Sequence, residues 1–329
     1  MKKFVLAIAA AMVVTFAHAQ EYESKIFKNL DVSVTAGTTG IGIDVASKVH
    51  ENVQLRMGYE FVPRFNVKIT IPAEVGGEPA ELYDEEGNRV ESTFDRLSKM
   101  LKGLTGFTVD DKVEMLGKAT MNNFKLLVDV FPFRDKHWHV TGGFYWGPSQ
   151  FAYAENSTTA MTSLLAVSMY NQMYEKCVSD EPIITVEGDG TPENPGMNIF
   201  LTEAYRQRIL GFGRMGFGVG EYRKGGGMYL MEPDPESSMV YARAKANSFK
   251  PYLGFGYGGN LLKDRNDWKV SFDAGMMFWG GTPNLYTHDG TNLTKEVVNI
   301  EGIVGTCTRL IRSLKVYPVV SVRFTKTIF

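Results

Sequence analysis

The sequence has 329 residues, of which 44% are hydrophobic and 22% charged, a balance also found in soluble proteins. Its formal net charge of -2 excludes the strongly basic surface with which proteins bind nucleic acid or polyanionic lipid. The two cysteines are too few for a disulfide scaffold and lack the spacing of metal ligands. From the net charge we expect no nucleic-acid partner.

Residues 1–19 have the pattern of a secretory signal peptide. Lys2 and Lys3 precede an apolar run at residues 4–17, and Ala17-His18-Ala19 fits the small-x-small cleavage rule. The run is shorter than the roughly 20 apolar residues of a spanning helix. The sequence predicts an exported protein whose mature part is residues 20–329.

Segments with alternating apolar and polar residues follow, as is typical of strands with two different faces. The first two flank the turn at residues 37–40, and the third covers residues 53–61. The same alternation at Val67, Ile69 and Ile71 could prolong the third strand past Pro63. Two more strands flank residues 133–136, and residues 316–324 form the last one.

The clearest strand pair lies at residues 248–281. Phe249, Leu253 and Phe255 share one face of its first arm, and Phe272 and Met276 share a face of its second. Each arm runs about ten residues, longer than the usual five or six and sufficient to cross a bilayer as a tilted strand. With this pair the count reaches eight strands.

The connections alternate between short and long. Short charged joints lie near residues 49–52, 134–136 and 263–266, whereas insertions lie near 73–116, 155–239 and 282–315. A bacterial membrane barrel has short periplasmic turns and long extracellular loops. The pattern predicts an all-β fold, a transmembrane antiparallel up-and-down barrel in a single domain, with both termini in the periplasm.

The long loops contain structure of their own. Helical spacing occurs at residues 92–104 and 158–177, and a third helix at residues 294–314 is expected to begin at a Thr294 cap. We expect these helices to pack on one another as an extracellular cap. The glycine-rich residues 206–231 are interpreted as a hairpin inside a loop; as two wall strands they would raise the strand number to ten.

The face opposite the aromatic residues carries glycines and charges of both signs, unlike the surface of a soluble barrel. We predict that the aromatic face contacts lipid and that the charges lie in the lumen, as filler of a narrow barrel or as a selectivity constriction. The predicted lumen charges are Asp44, Arg56, Glu60, Lys125, Asp129, Lys250, Lys269, Asp273 and Arg323.

Three segments carry a resemblance to a known group. The hairpin FKPYLGFGYGG…DWKVSFDAGMMFWGGTPN, the unit FKLLVDVFPFRDKHWHVTGGFYW and a helical stretch leading into KVYPVVSVRF together resemble small bacterial outer-membrane barrels that include the ornithine-uptake porin-like CarO proteins. The resemblance covers about half of the chain. It implies an eight-stranded barrel in the outer membrane and passive uptake of small solutes for some members. The large loops depart from a minimal barrel, so no substrate preference is carried over.

No motif of a nucleotide site, a zinc protease or a serine hydrolase occurs in the sequence. His137 and His139 with Asp135 lack a further metal ligand. We expect no enzyme activity, no cofactor and no metal. Cys177 and Cys307 are candidates for a disulfide of the exported protein.

The functional hypotheses that follow are three. The first is an outer-membrane barrel with porin-like narrow passive uptake of small solutes or a structural surface role. The second is a surface adhesin or binding protein that uses the long loops, and the third an outer-membrane hydrolase. The expected partners are outer-membrane lipid and lipopolysaccharide, and the barrel-assembly machinery, which would recognise a terminal aromatic at Phe324 or Phe329.

Overall fold

The structure is a computed structural model that describes residues 29–188, 195–262 and 265–329. The predicted signal peptide lies outside the described residues. Within those ranges, no helix combines the length and the apolar character that a membrane crossing requires.

In the described residues strands dominate, and four α-helices interrupt them. The strands are β1 (Asp31–Gly37), β2 (Gly40–His50), β3 (Val53–Phe61), β4 (Asn66–Val75), β5 (Glu78–Pro79), β6 (Leu82–Tyr83), β7 (Arg89–Val90), β8 (Lys112–Ala119), β9 (Asn122–Val130), β10 (Trp138–Trp146), β11 (Gln150–Asn156), β12 (Ile184–Val186), β13 (Met197–Ile199), β14 (Met215–Tyr222), β15 (Met228–Met231), β16 (Tyr241–Lys245), β17 (Phe249–Leu262), β18 (Arg265–Phe278), β19 (Asn284–Thr287), β20 (Val297–Val298) and β21 (Val316–Thr327). The helices are α1 (Thr93–Thr105), α2 (Met161–Ser179), α3 (Glu203–Phe212) and α4 (Gly302–Ser313).

Eight strands form a closed antiparallel barrel in the order β1-β2-β3-β9-β10-β17-β18-β21. The first and last strands close it, with Val34 opposite Phe324. The short turns β2–β3, β9–β10 and β17–β18 lie at the same end as the start of β1 and the end of β21, and the long insertions lie at the other end. The structure confirms the predicted eight-stranded up-and-down barrel. Following the rule for such barrels, we call the short-turn end periplasmic.

The outer surface of the barrel is apolar. Exposed side chains on its wall include Val34, Phe255, Phe272 and Phe324, and all four are about half exposed or more. Aromatic rings lie near both ends, with Trp138 against Tyr257 at a ring-centroid distance of 4.9 Å at the periplasmic end. A wall that turns such groups outward and its charges inward is the wall of an outer-membrane barrel.

A second, nine-stranded sheet stands on the barrel at the long-loop end. Its central order β4-β8-β11-β16-β19 repeats the order of the barrel strands β3, β9, β10, β17 and β18 that lead into or out of it. The sheet is therefore an upward continuation of five wall strands. Pro63, Pro148 and Pro283 lie at three of the junctions, where a residue without an N–H interrupts the ladder.

Two sequence predictions are corrected in this region. Val67, Ile69 and Ile71 do not prolong β3 but belong to β4, which pairs with β8 and β14 above the barrel. The third helix does not begin at Thr294, because the chain there forms a turn and β20, and α4 begins only at Gly302. Residues 206–231 contain the end of α3 and the hairpin β14–β15, so they add no strand to the barrel.

The sheet and helices α1, α2 and α3 enclose a separate hydrophobic core, and we call this unit the cap. Helix α1 begins at Ser92, whose hydroxyl accepts from the Asp95 N–H while the Asp95 carboxylate accepts from the Ser92 N–H. Its buried residues pack against the inner face of the sheet. The core includes Ile71, Val75, Phe94, Leu97, Val113, Met115, Leu164, Val167, Tyr170, Ile209, Met215 and Phe217.

Candidate functional site in the barrel lumen

Ion pairs fill the middle of the lumen. Arg56 of β3 lies 2.9 Å from Asp129, 3.7 Å from Asp44 and 3.8 Å from Asp273, measured between guanidinium nitrogens and carboxylate oxygens. Arg323 of β21 lies 3.4 Å from Asp129 and 3.5 Å from Asp273. None of the five side chains is more than 7% exposed. The network therefore ties β2, β3, β9, β18 and β21 together across the lumen.

A second group extends this network toward the cap. The Lys125 ammonium of β9 lies 2.8 Å from Asp44 and forms a further ion pair with Glu60. Thr35 of β1 donates a hydrogen bond of 3.4 Å to Glu60. Asp44 thus joins the two groups, and seven of the nine predicted lumen charges belong to one connected set.

The other two predicted charges lie at opposite ends. Lys250 is fully buried near the cap and donates to Asn123 Oδ1 at 3.1 Å and to the Ser248 carbonyl at 3.3 Å. Lys269 is half-buried and lines a cavity at the periplasmic end. The sequence placed both on the lumen side, and the structure shows them there without placing them in the central network.

Sequence reasoning missed His139 as a member of the central network. Its Nε2 lies 2.7 Å from Asp273 Oδ1, and its side chain is 2% exposed. A Cβ added to Gly256 on the neighbouring strand would overlap the imidazole ring. The signal was present, because His139, Thr141 and Tyr145 share the inward face of β10, opposite the lipid-facing Trp138 and Val140.

An apolar layer lies between the ion pairs and the cap. Tyr145 and Tyr252 meet in an edge-to-face pair at 5.4 Å, and Trp279 forms a perpendicular pair with Tyr317 at the same distance. The Tyr317 hydroxyl donates to the Thr38 carbonyl at 2.6 Å. The other buried members are Met121, Leu127, Met277 and Val319. This layer and the ion pairs close the lumen in series.

The lumen opens into a cavity at its periplasmic end. A cavity of about 250 Å³ there is lined by Asp31, Lys48, Lys269 and Thr325, with His139 and Arg323 reaching its floor. Gln54 Nε2 donates to Asp31 at 2.7 Å, and Thr327 donates to the same carboxylate at 2.6 Å. The cavity ends where the central ion pairs begin.

The cap has a cleft of its own between α1, α2 and α3. Its volume is about 640 Å³, and Met100, Met173 and Ile209 supply an apolar lining. Arg96 and Arg208 lie at its edge.

Cysteines and histidines do not combine into a further site in the described residues. Cys177 is buried and Cys307 half-buried, both are free thiols, and burial raises the pKa of each thiol. Their disulfide stays a prediction. No three His, Cys, Asp or Glu side chains in the described ranges are grouped to hold a metal ion. The His137 Nδ1 atom lies 2.8 Å from the Gly258 carbonyl oxygen, apart from His139.

Comparisons with known proteins give a likeness of structure. No protein-family model and no curated protein matches the sequence. The crystal structure of Acinetobacter baumannii CarO2 matches at 14% identity with a TM-score of 0.38, over 92% of this chain and 99% of that one. The crystal structure of Acinetobacter baumannii CarO matches at 13% identity with a TM-score of 0.35, over 91% and 97%. The resemblance stated from the sequence is found again here, as a likeness of fold.

Proposed function

We propose that this protein is an outer-membrane barrel with a closed lumen, that the barrel serves as a membrane anchor, and that the cap acts at the cell surface. The observation that carries the proposal is the double closure of the lumen. Any solute would have to separate the Arg56–Asp129 and Arg323–Asp129 ion pairs and then displace the Tyr145–Tyr252 layer. Separating these pairs would leave buried charges without a counter-ion, which makes spontaneous opening unfavourable.

Porin-like passive uptake needs a continuous polar path. The ion pairs satisfy one another, as expected of filler in a barrel of eight strands, whose interior is only wide enough for side chains. The periplasmic cavity of about 250 Å³ reaches these pairs and stops. The geometry therefore favours a structural and surface role over uptake.

The surface role is assigned to the cap, because the cap has the means to bind. It holds its own hydrophobic core, so its shape does not depend on a partner. Its cleft combines apolar floor residues with Arg96 and Arg208 at the edge. Exposed apolar side chains, among them Met197 and Phe200, lie in the same part of the cap. These features support a binding or adhesive function of the loops.

A hydrolase is the least supported of the functions considered. In the described residues no hydrogen bond joins a histidine ring to a serine, threonine or cysteine. His139 is bound to Asp273 inside the lumen, and His288 lies against Tyr241 in the cap. The proposal assigns no catalytic step to these groups.

Site-specific labelling on intact cells tests the placement. In a background with both native cysteines replaced by serine, we expect Glu85→Cys in the cap to react with a membrane-impermeant maleimide. Asp135→Cys, in a periplasmic turn, should react only after the outer membrane is permeabilised. Both positions are exposed in the structure, so accessibility within the protein is matched. Labelling of Asp135→Cys on intact cells would reverse the orientation and remove the proposal.

A further inference from the structure

The outward face of the cap sheet continues the lipid-facing wall of the barrel. Phe249 is exposed on the outer wall at the start of β17, and Lys245 and Arg243 of β16 precede it in the sequence by four and six residues, on the same side. At about 3.3 Å per residue, they stand at most about 13 and 20 Å above Phe249. Because Phe249 is the first residue of β17, at the cap end of the lipid-facing wall, residues above it would meet the headgroups of the outer leaflet.

The residues opposite Arg243 are fixed by strand register. Arg243 pairs with Tyr153 of β11 on one side and with Tyr286 of β19 on the other, and Tyr153 pairs with Lys118 of β8. These side chains share the outward face, since the neighbouring position Ala244 is buried on the inner one. A row of alternating cationic and aromatic residues therefore crosses four strands.

Arg243 of this row and Lys245, two residues further along β16, contact aromatic rings and not carboxylates. The Arg243 guanidinium lies 4.8 Å from the Tyr241 ring centroid and 6.0 Å from that of Tyr153, and the Lys245 ammonium lies 5.5 Å from the Tyr286 centroid. In the described part of the chain, no carboxylate oxygen lies within 4.0 Å of either cation, whereas Lys118 is paired with Glu155. Stacking on a ring leaves the N–H edges of a guanidinium available.

We propose that this face, Lys118, Tyr153, Tyr241, Arg243, Lys245 and Tyr286, binds the phosphorylated sugar headgroup of the anionic glycolipid in the outer leaflet. Arg243 and Lys245 would bind phosphate, for which the guanidinium offers paired N–H donors. The tyrosine hydroxyls can exchange hydrogen bonds with sugar hydroxyls. Continuity with the lipid-facing wall argues for a membrane glycolipid as the occupant, and the inference rests on the membrane placement of the proposed function.

The test measures binding of lipopolysaccharide to the purified, folded full-length protein in detergent. Arg243→Gln with Lys245→Gln is expected to weaken binding by at least about tenfold, because the charge-assisted hydrogen bonds to phosphate are lost. The matched control, Lys102→Gln with Lys224→Gln, removes two exposed charges of the cap that belong neither to this face nor to the cleft, and should bind as the wild type does.

The same assay with dephosphorylated lipopolysaccharide keeps the test decisive if the double variant fails to fold. Wild-type protein should bind the dephosphorylated form at least about tenfold more weakly. Equal binding of both forms, or a folded Arg243→Gln, Lys245→Gln protein that binds like wild type, overturns the inference. Preference for phosphatidylglycerol micelles over lipopolysaccharide would also overturn it. A conducting barrel would instead contradict the proposed function and leave this binding result unchanged.

Discussion

Asp129 is the residue on which the closed lumen depends most. Its carboxylate accepts from Arg56 at 2.9 Å, from Thr141 at 2.7 Å and from Arg323 at 3.4 Å, and it is fully buried. Removing its charge leaves two buried guanidinium groups short of a counter-ion. The loss of one partner in such a network has a larger effect than the network's own net contribution to stability.

We therefore expect Asp129→Asn to lower the free energy of unfolding by about 3–5 kcal/mol. The measurement is urea unfolding of the refolded protein in detergent, followed by the folded and unfolded bands on an unheated gel. Asp135→Asn is the control, because Asp135 is exposed in a turn and should change stability by no more than about 0.5 kcal/mol. Equal midpoints for the two variants would contradict the role given to the network.

A second residue-level prediction concerns Gly256. The His139 imidazole occupies the position that a side chain at Gly256 would need. We expect Gly256→Val to displace His139 from Asp273 and to destabilise the barrel by about 1–3 kcal/mol, as overpacking does. Gly142→Val adds the same atoms on the lipid-facing side, where no atom lies within 4 Å of an added Cβ. Gly142→Val should therefore refold with a midpoint closer to the wild type.

Glu74 gives the cap a predicted dependence on pH. Its carboxyl is buried in β4, its Oε2 has no hydrogen-bond partner in the described residues, and burial raises its pKa. The folded cap therefore holds the proton more tightly than the unfolded chain does. The contribution of Glu74 to cap stability should be fully present below the ordinary glutamate pKa and should be lost as the pH rises through the raised pKa.

Glu74→Gln should remove this loss, so the variant cap is expected to be more stable than the wild type at neutral pH. Hydrogen exchange of the cap amides as a function of pH measures it. Glu85→Gln, at an exposed position, is the control and should follow the wild-type profile. A wild-type cap that became more protected with rising pH would have the opposite sign and would contradict the assignment.

Among the elements, α1 carries the most explicit local signal. Ser92 and Asp95 form a complete capping box, and the Ser92 hydroxyl also donates to the Ala80 carbonyl at 2.7 Å. We expect Ser92→Ala to cost the cap about 1–2 kcal/mol, measured as faster amide exchange in α1. Because the barrel strands do not contact this capping box, amide exchange in the barrel should stay unchanged. Equal acceleration in both parts would show that cap and barrel unfold together.

The barrel strands were predictable because each has two unlike environments. Apolar residues such as Phe255 and Phe272 lie on the lipid-facing side and polar residues such as Asp273 on the lumen side. The sequence therefore alternates with a period of two. The same period at Ile69 and Ile71 arises differently, because these side chains face the cap core. Alternation alone does not distinguish a lipid-facing strand from one that covers a core.

The cap sheet was not predictable for a further reason. Its strands pair with strands that are distant in the sequence, as Tyr153 pairs with Arg243. A local sequence pattern does not predict which strand is the partner. Once the barrel order is known, however, most of the order follows, because five cap strands continue wall strands. In the lumen, the charges were predictable from the alternation, but the closing layer of Tyr145, Tyr252 and Trp279 was not, because these residues look like ordinary strand aromatics.

At the scale of the whole molecule, the protein consists of two stacked units with separate cores. Ion pairs in the lumen connect the strands of the barrel, and apolar contacts form the core of the cap. The apolar layer around Trp279 joins them, with Phe151 of β11 in contact with the Trp279 ring at 4.7 Å. This arrangement supports the proposal that the barrel is an anchor and that recognition belongs to the cap.

Planar-bilayer recording of the purified full-length protein tests this account most directly. An open porin reconstituted in the same way shows that insertion and recording work, and lipid-protected protein recovered from the bilayer mixture shows that the barrel has inserted. Because the ion pairs and the tyrosine layer close the lumen in series, we expect no steady conductance steps at moderate voltage. Reproducible ohmic steps from the wild-type protein would contradict the closed anchor.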